Sequence, residues 1–168
     1  MLDKVDTVYT EAARMRSFLG GCSFDRKVFL TETTPYVIGD VILDNSAELR
    51  IADPNTNPDA SLTLYLGGNL VMQNGGMINN AAKDPKKLKI YGLDSCLSIN
   101  FKTASNFYGA IYAPNADVRA HNAVQIFGAI SAHSFTQDVN ANLHYDASLR
   151  EASISDEGVS FVIKYWQE

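Results

Sequence analysis

The phrase Phe107-Tyr-Gly-Ala-Ile-Tyr-Ala-Pro-Asn115 returns in altered form 19 residues later, as Ile126-Phe-Gly-Ala-Ile-Ser-Ala-His133. Gly109 aligns with Gly128, Ala110 with Ala129, Ile111 with Ile130 and Ala113 with Ala132. A unit this short cannot bury its own apolar face, so it gains stability by stacking against its own copies. Its residues are apolar β-formers interleaved with Gly, Ala and Asn, which makes each unit a rung of short strands. The phrase therefore predicts a mainly β fold, a single right-handed parallel β-helix (β-solenoid). Val118 and Phe135 carry the second strand of successive rungs, 17 positions apart, and Ile126 and Leu143 share that spacing. Small residues at 109, 110, 113, 128, 129 and 132 let rungs approach. The expected core holds Ile111, Val118, Val124, Ile130, Phe135 and Leu143.

The rest of the chain is read around this unit. Residues 3–18 place Val5, Val8, Tyr9, Ala12, Ala13, Met15 and Phe18 on one side at helical spacing. Acids stand early, bases late, and Gly20-Gly21 stops the run. Residues 1–20 are thus expected to cap the first rung, whose open edge needs cover. Residues 21–145 form the solenoid and 146–168 a C-terminal capping tail. Short β runs occupy 28–30, 36–43 and 49–51, and Leu62, Leu64 and Leu66 alternate with Thr63 and Tyr65. Leu97, Ile99 and Phe101 alternate likewise. Two polar stretches, 53–60 and 79–87, read as protruding loops. Asn106, Asn115, Asn122, Asn140 and Asn142 fall between strands, where Asn tolerates left-handed backbone. Within the tail, Tyr145–Ala152 reads as a short helix. Val159, Phe161, Ile163 and Tyr165 form the apolar face of a last strand folded back on the solenoid, with Trp166 as a packing anchor.

Bulk properties narrow the class. The chain has 168 residues, 46% hydrophobic and 20% charged, which suits one globular domain rather than a disordered one. A net charge of −5 argues against a general nucleic-acid binder. No apolar run is long enough to span a bilayer, so no direct membrane contact is expected. The N-terminus carries no charged-then-apolar leader. Read literally, that implies a cytoplasmic protein; if Met1 begins an excised fragment, a targeting segment has been cut away. Two cysteines, Cys22 and Cys96, stand 74 positions apart. A disulfide between them would stabilise by about 4 kcal/mol in the chain-entropy account. The alternative is two buried thiols.

A family resemblance rests on several phrases together. They are Leu64-Tyr-Leu-Gly-Gly-Asn-Leu70, Leu88-Lys-Ile-Tyr-Gly92, Phe107 through Val118, Ile126-Phe-Gly-Ala-Ile130, His144-Tyr-Asp146 and Tyr165-Trp-Gln-Glu168. Across 36–168 the chain resembles a domain of unknown function found at the C-terminal end of type IV pilus-assembly, minor-pilin-like and other bacterial surface proteins. Members carry a pilin-like membrane helix before the solenoid; this chain has none, as an excised domain would. The resemblance implies a cell-envelope or extracellular location, pilus or pseudopilus components or a surface polymer as partners, and no enzymatic activity. It supplies no catalytic residues.

The candidate chemistry is sparse. His121, His133 and His144 do not fall at equivalent rung positions, so no metal site and no cofactor is expected. Asp117, Arg119, His121 and Asp138 could share a face, as in a polysaccharide-active β-helix. No carboxylate pair among them occupies equivalent positions in adjacent rungs, which a glycosidase would need. Asp53-Pro-Asn-Thr-Asn-Pro-Asp59 superficially resembles a calcium loop but lacks its Gly and distal Glu. Lys83, Lys86, Lys87, Lys89 and Lys102 make the one basic group, able to meet an anionic polymer. No nucleophile elbow, phosphate loop or zinc-protease motif is present. The expected function is a non-catalytic surface recognition module, with Asp53, Asn55, Asn57, Asp59, Lys83, Lys86 and Lys87 on the contact loops. The rivals are a polymer-forming cytoskeletal solenoid of the bactofilin type and a polysaccharide-binding or polysaccharide-cleaving β-helix.

Overall fold

A computed structural model describes residues 22–24, 27–30, 34–51, 53 and 55–151. The helix expected over 3–18 and the strand expected over 159–165 lie outside the described residues. Within them the protein is mainly β, with parallel strands. The strands are β1 (Cys22–Phe24), β2 (Lys27–Leu30), β3 (Thr34–Ile38), β4 (Val41–Leu43), β5 (Glu48–Ile51), β6 (Leu62–Leu66), β7 (Leu70–Met72) and β8 (Met77–Asn80). They continue with β9 (Leu88–Gly92), β10 (Ser98–Phe101), β11 (Asn106–Ala120), β12 (Gln125–Gln137) and β13 (Asn142–Tyr145). Short 3-10 turns occupy Pro85–Lys87 and Ala147–Glu151, the latter within the predicted short helix.

Strands of like position pair with one another. β1, β4, β7 and β10 are neighbours in order, and β10 continues onto Asp117–Ala120 of β11, which pairs with Ser134–Gln137 of β12. β2, β5 and β8 form a separate three-stranded sheet. β3, β6 and β9 are followed by Ala110–Tyr112 of β11 and then Ala129–Ser131 of β12. The repeat alignment is the observed register: Gly109 faces Gly128, Ile111 faces Ile130 and Val118 faces Phe135. Ile126 faces Leu143. Between Val41 and Ile99 the spacing is longer, since Val41 faces Leu70 and Leu70 faces Ile99, 29 positions on each time, whereas Cys22 faces Val41 after 19.

Alternation explains which side is buried. Leu62, Leu64, Leu66, Leu70, Met72, Leu88, Ile90, Ile99, Phe101, Phe107, Ile111 and Val118 all point inward and are buried. Phe101 and Phe107 meet edge to face, ring centres 5.1 Å apart. Ile130 and Phe135, both expected in the core, are only partly buried against it. Two expectations need correction. Leu143 is 36% exposed, because β13 pairs with β12 alone and lies at the edge of the sheet among the described residues. Leu97 is 60% exposed, because β10 begins only at Ser98 and Leu97 belongs to the preceding turn.

One corner recurs with the same geometry. Asn45-Ser46, Asn74-Gly75, Asn122-Ala123 and Val139-Asn140 all have positive φ at both residues. Each pair is closed by an i→i+3 hydrogen bond: Ala47 N to Asp44 O, Gly76 N to Gln73 O, Val124 N to His121 O and Ala141 N to Asp138 O. Two left-handed residues inside such a bond make a turn of the I′ kind, which favours Asn and Gly. Asn122 and Asn140 thus occupy the corners expected of them. Asn106 and Asn142 instead open strands, and Asn115 lies within β11.

Two close approaches demand glycine. Gly128 has φ +148°, and a Cβ there would stand 1.9 Å from the Gly109 carbonyl oxygen. A Cβ on Gly76 would stand 2.1 Å from the Leu43 carbonyl oxygen.

The proposed disulfide is not formed. Cys96 is a free, fully buried thiol. Cys22 faces Val41, which faces Leu70, which faces Ile99. Three strand spacings, about 14 Å in total, therefore separate the strand of Cys22 from the one Cys96 precedes. A bridge tolerates a Cα separation of only about 7 Å. Burial raises the Cys96 thiol pKa, which keeps it protonated.

Candidate contact surface

The two loops singled out in the sequence lie side by side. Lys87 Nζ donates to the Pro58 carbonyl across them. Asp53 organises the first: its Oδ1 accepts from Asn55 N at 2.8 Å and from Asn55 Nδ2 at 2.9 Å. Its carbonyl accepts from Thr56 Oγ1 at 2.9 Å. Such local bonding lets Asp and Asn hold a tight turn without regular structure. Asn55, Pro58 and Asp59 are exposed there, while Asn57 and Asp53 are half-buried.

The second loop is shorter than expected, since Asn79 and Asn80 belong to β8. Asp84 Oδ1 accepts from Lys86 N at 2.9 Å and starts the 3-10 turn, with buried Pro85 fixing its first position. Lys83 and Lys86 point to solvent. Asn80, buried to 2% exposure, anchors this loop. Its Nδ2 reaches the Asp84 carbonyl at 2.6 Å and the Tyr108 carbonyl at 3.0 Å. Sequence reasoning missed Asn80; a polar residue two positions after Ile78, on the inward row of the strand, is the signal it gave.

The basic group divides. Lys83, Lys86 and Lys87 share the loop edge, where Asp53, Asp59 and Asp84 also stand. Lys89 lies in β9, facing Thr63 and Ala110. Lys102 sits at a different corner, its N–H bonded to the Met72 carbonyl at 2.8 Å. Lys86 helps hold the Asp146 carboxyl below the usual range, after the larger effect of hydrogen bonds from Ser148.

The suspected catalytic residues do share a face. Asp117, Arg119 and His121 alternate outward along the end of β11. Asp138 Oδ1 lies 2.7 Å from His121 Nδ1, and Ser134 Oγ donates to Asp117 Oδ1 at 2.5 Å. Asp117 faces Ser134, four residues before Asp138. The two carboxylates are therefore separated by about 13 Å along the strand direction. Glycoside hydrolysis uses carboxyl groups roughly 5–10 Å apart. His144 stands elsewhere, stacked on Phe127 at 4.6 Å, with Phe127 stacked on Tyr108 at 4.7 Å. His144 Nε2 meets Gln125 Oε1 at 2.9 Å. Among the described residues no group of three or more His, Cys, Asp or Glu is placed to hold a metal.

A family model described as Domain of unknown function (DUF7305) matches residues 32–152. The chain belongs to this family. The DUF7305 span runs from the start of β3 to the turn after β13, so it contains both loops and the Asp117–Asp138 face. No curated protein and no solved structure matches the chain. No helix among the described residues is long and apolar enough to cross a membrane.

Proposed function

We propose that the chain is a non-catalytic recognition module, a right-handed β-solenoid presented at the bacterial cell surface in the manner of a minor pilin. The observation that carries this reading is the pairing of the 53–59 and 81–87 loops on one edge of continuous parallel strands. Variable loops on a rigid frame are where binding specificity is usually built. The winding supports the solenoid: each strand pairs in parallel with the strand one turn later, and parallel crossovers are right-handed almost without exception. The envelope location and the pilus, pseudopilus or surface-polymer partner rest on the phrases that resemble pilus-associated domains.

Replacing both loops by the direct connection found between Gly109 and Ala110 tests the role. The variant is expected to keep the far-UV spectrum and lose adherence of the purified chain to intact cells or isolated pili. Unchanged adherence would remove the loops from the contact; no adherence by the parent chain would overturn the recognition role. Immunogold labelling confined to the cell interior would overturn the location.

One observation favours a second reading. All four residues of β13 are exposed at the sheet edge. An open edge invites end-to-end stacking of the bactofilin type. Filaments in electron micrographs of the purified chain would favour it; a monomer at high concentration would count against it.

A further inference from the structure

The corner between β7 and β8 carries Asn74-Gly75, the one place in the chain where glycine follows asparagine. Such a pair is chemically reactive. A backbone nitrogen that loses its proton can attack Cγ of the preceding asparagine, and glycine adds no side chain to obstruct the ring. The corner requires glycine all the same. Gly75 has φ +85°, and a Cβ on it would stand 2.9 Å from Ser46 Oγ. The like corners Asn45-Ser46 and Asn122-Ala123 place a Cβ after the asparagine, which hinders the same closure.

Neighbouring windings hold both nitrogens of the reaction. Gly75 N donates to Thr103 Oγ1 at 3.1 Å, on the winding that follows. Asn74 Nδ2 donates to Asp44 Oδ1 at 2.8 Å, on the winding that precedes. Asp44 is fixed in turn by Gln73 Nε2 at 3.0 Å and by Asn45 N at 2.7 Å. Gly76 N closes the turn on Gln73 O at 2.8 Å. The nitrogen that must attack therefore keeps its proton in a hydrogen bond, and the amide that must be attacked is anchored to a carboxylate. Asn74 is exposed, so water reaches it.

We propose that Asn74 is a self-modification site gated by contact between windings. While Asp44, Asn74-Gly75 and Thr103 stay stacked, the dipeptide stays intact. When they part, Gly75 N gives its proton to solvent and bonds to Asn74 Cγ. The Cγ–Nδ2 bond breaks, and Nδ2 takes a proton back from solvent and leaves as ammonia. Water then opens the cyclic imide at either carbonyl, giving aspartate or isoaspartate, with no oxidant or reductant involved. The product does not restack. A carboxylate at 74 faces the Asp44 carboxylate instead of donating to it. Isoaspartate lengthens the backbone of a two-residue corner whose length sets the register. Conversion thus marks, irreversibly, a chain whose windings have opened. This chemistry is independent of the recognition role.

Peptide mass mapping with enzymatic methylation of isoaspartate follows the conversion in the full chain at mildly alkaline pH, beside the free peptide of residues 72–77. The folded chain should convert about tenfold or more slowly than the peptide, since two hydrogen bonds must open first. In denaturing urea the chain should match the peptide, a comparison that needs no variant. Thr103→Val should speed conversion of the folded chain about two- to tenfold, through loss of one neutral hydrogen bond. Asp44→Ala should speed it more, because the bond lost is to a charged group. Thr103→Ser, which keeps the hydroxyl, should leave the rate unchanged. Conversion of the folded parent at the peptide's rate, unchanged rates in both Thr103→Val and Asp44→Ala, or conversion at Asn45 or Asn122 ahead of Asn74 would each overturn the proposal.

Discussion

Between Val41 and Ile99 the chain needs 29 residues to return to the same strand position; between Ile99 and Phe135 it needs 19 and then 17. The segments that pair at this position hardly differ in length, three residues between β4 and β7 and between β7 and β10, four between β10 and β11. The surplus in the first half sits at one corner, between β5 and β6 and between β8 and β9, where β11 and β12 run straight through. Winding length is therefore set by what hangs from a corner, while the inward rows keep step. Closure is lost only toward β12. Phe101 and Phe107, in the first short winding, are wholly buried, whereas Ile130 and Phe135 of β12 are only partly covered. The long windings carry loops; the short ones present a plain polar face and, among the described residues, end at the edge strand β13.

The contrast can be broken at the core first. Phe107→Ala should cost about 3–5 kcal/mol, because a buried ring and its edge-to-face partner are lost. Phe135→Ala should cost about half of that, in line with its partial burial. Urea denaturation of the two variants measures the difference, and equal losses would erase the distinction between the closed first short winding and the partly covered β12. Gly128→Ala acts in the short windings by another route. Its Cβ would collide with the Gly109 carbonyl, and φ +148° suits only glycine, so a loss of about 3 kcal/mol is expected.

Smaller effects sharpen the comparison. Asn80→Ala should cost about 1–3 kcal/mol by orphaning two carbonyls that hold the second loop to β11. Hydrogen exchange should rise over 81–87 and stay low over 117–137. Val139→Gly should gain about 1 kcal/mol, since a β-branched residue at φ 48° is strained and that side chain is exposed. The last effect depends on pH. Side-chain hydrogen bonds from Asn74, then Gln73, and the Asn45 backbone hold Asp44 below its ordinary 3.8. A lowered folded pKa contributes stability that is full above the unfolded value and disappears as pH falls through the folded one. Asn74→Ala should therefore reduce stability at pH 7 more than at pH 2, in paired urea titrations.

Register in the C-terminal half was legible because paired residues are alike: Gly faces Gly and Ile faces Ile over a fixed 19 positions. In the N-terminal half loops of unlike sequence separate strands that share only alternation, so the 29-residue return left no repeat to read. Asn122 and Asn140 announced their corners by type. Ala123 and Val139 take left-handed backbone against their own preference, held by the turn bond, and gave no sign. The choice between a disulfide and two buried thiols stayed open because sequence separation says nothing about which strand lies between. The candidate surfaces were half legible. The loops are legible as 53–60 and 79–87, two residues too long at the start of the second, but their adjacency depends on winding.

The central claim is that strands return in parallel, each beside its own successor. Paired cysteines in a Cys22→Ala, Cys96→Ala background test it directly. Val71 faces Asn100, and Asn106 faces Gln125, which faces Asn142. Cysteines at 71/100, 106/125 and 125/142 should cross-link rapidly under mild oxidation, while 106/142, two strands apart, should not. Rapid cross-linking of 106/142, or none in the adjacent pairs, would contradict the winding on which the proposed role and the polar face both depend.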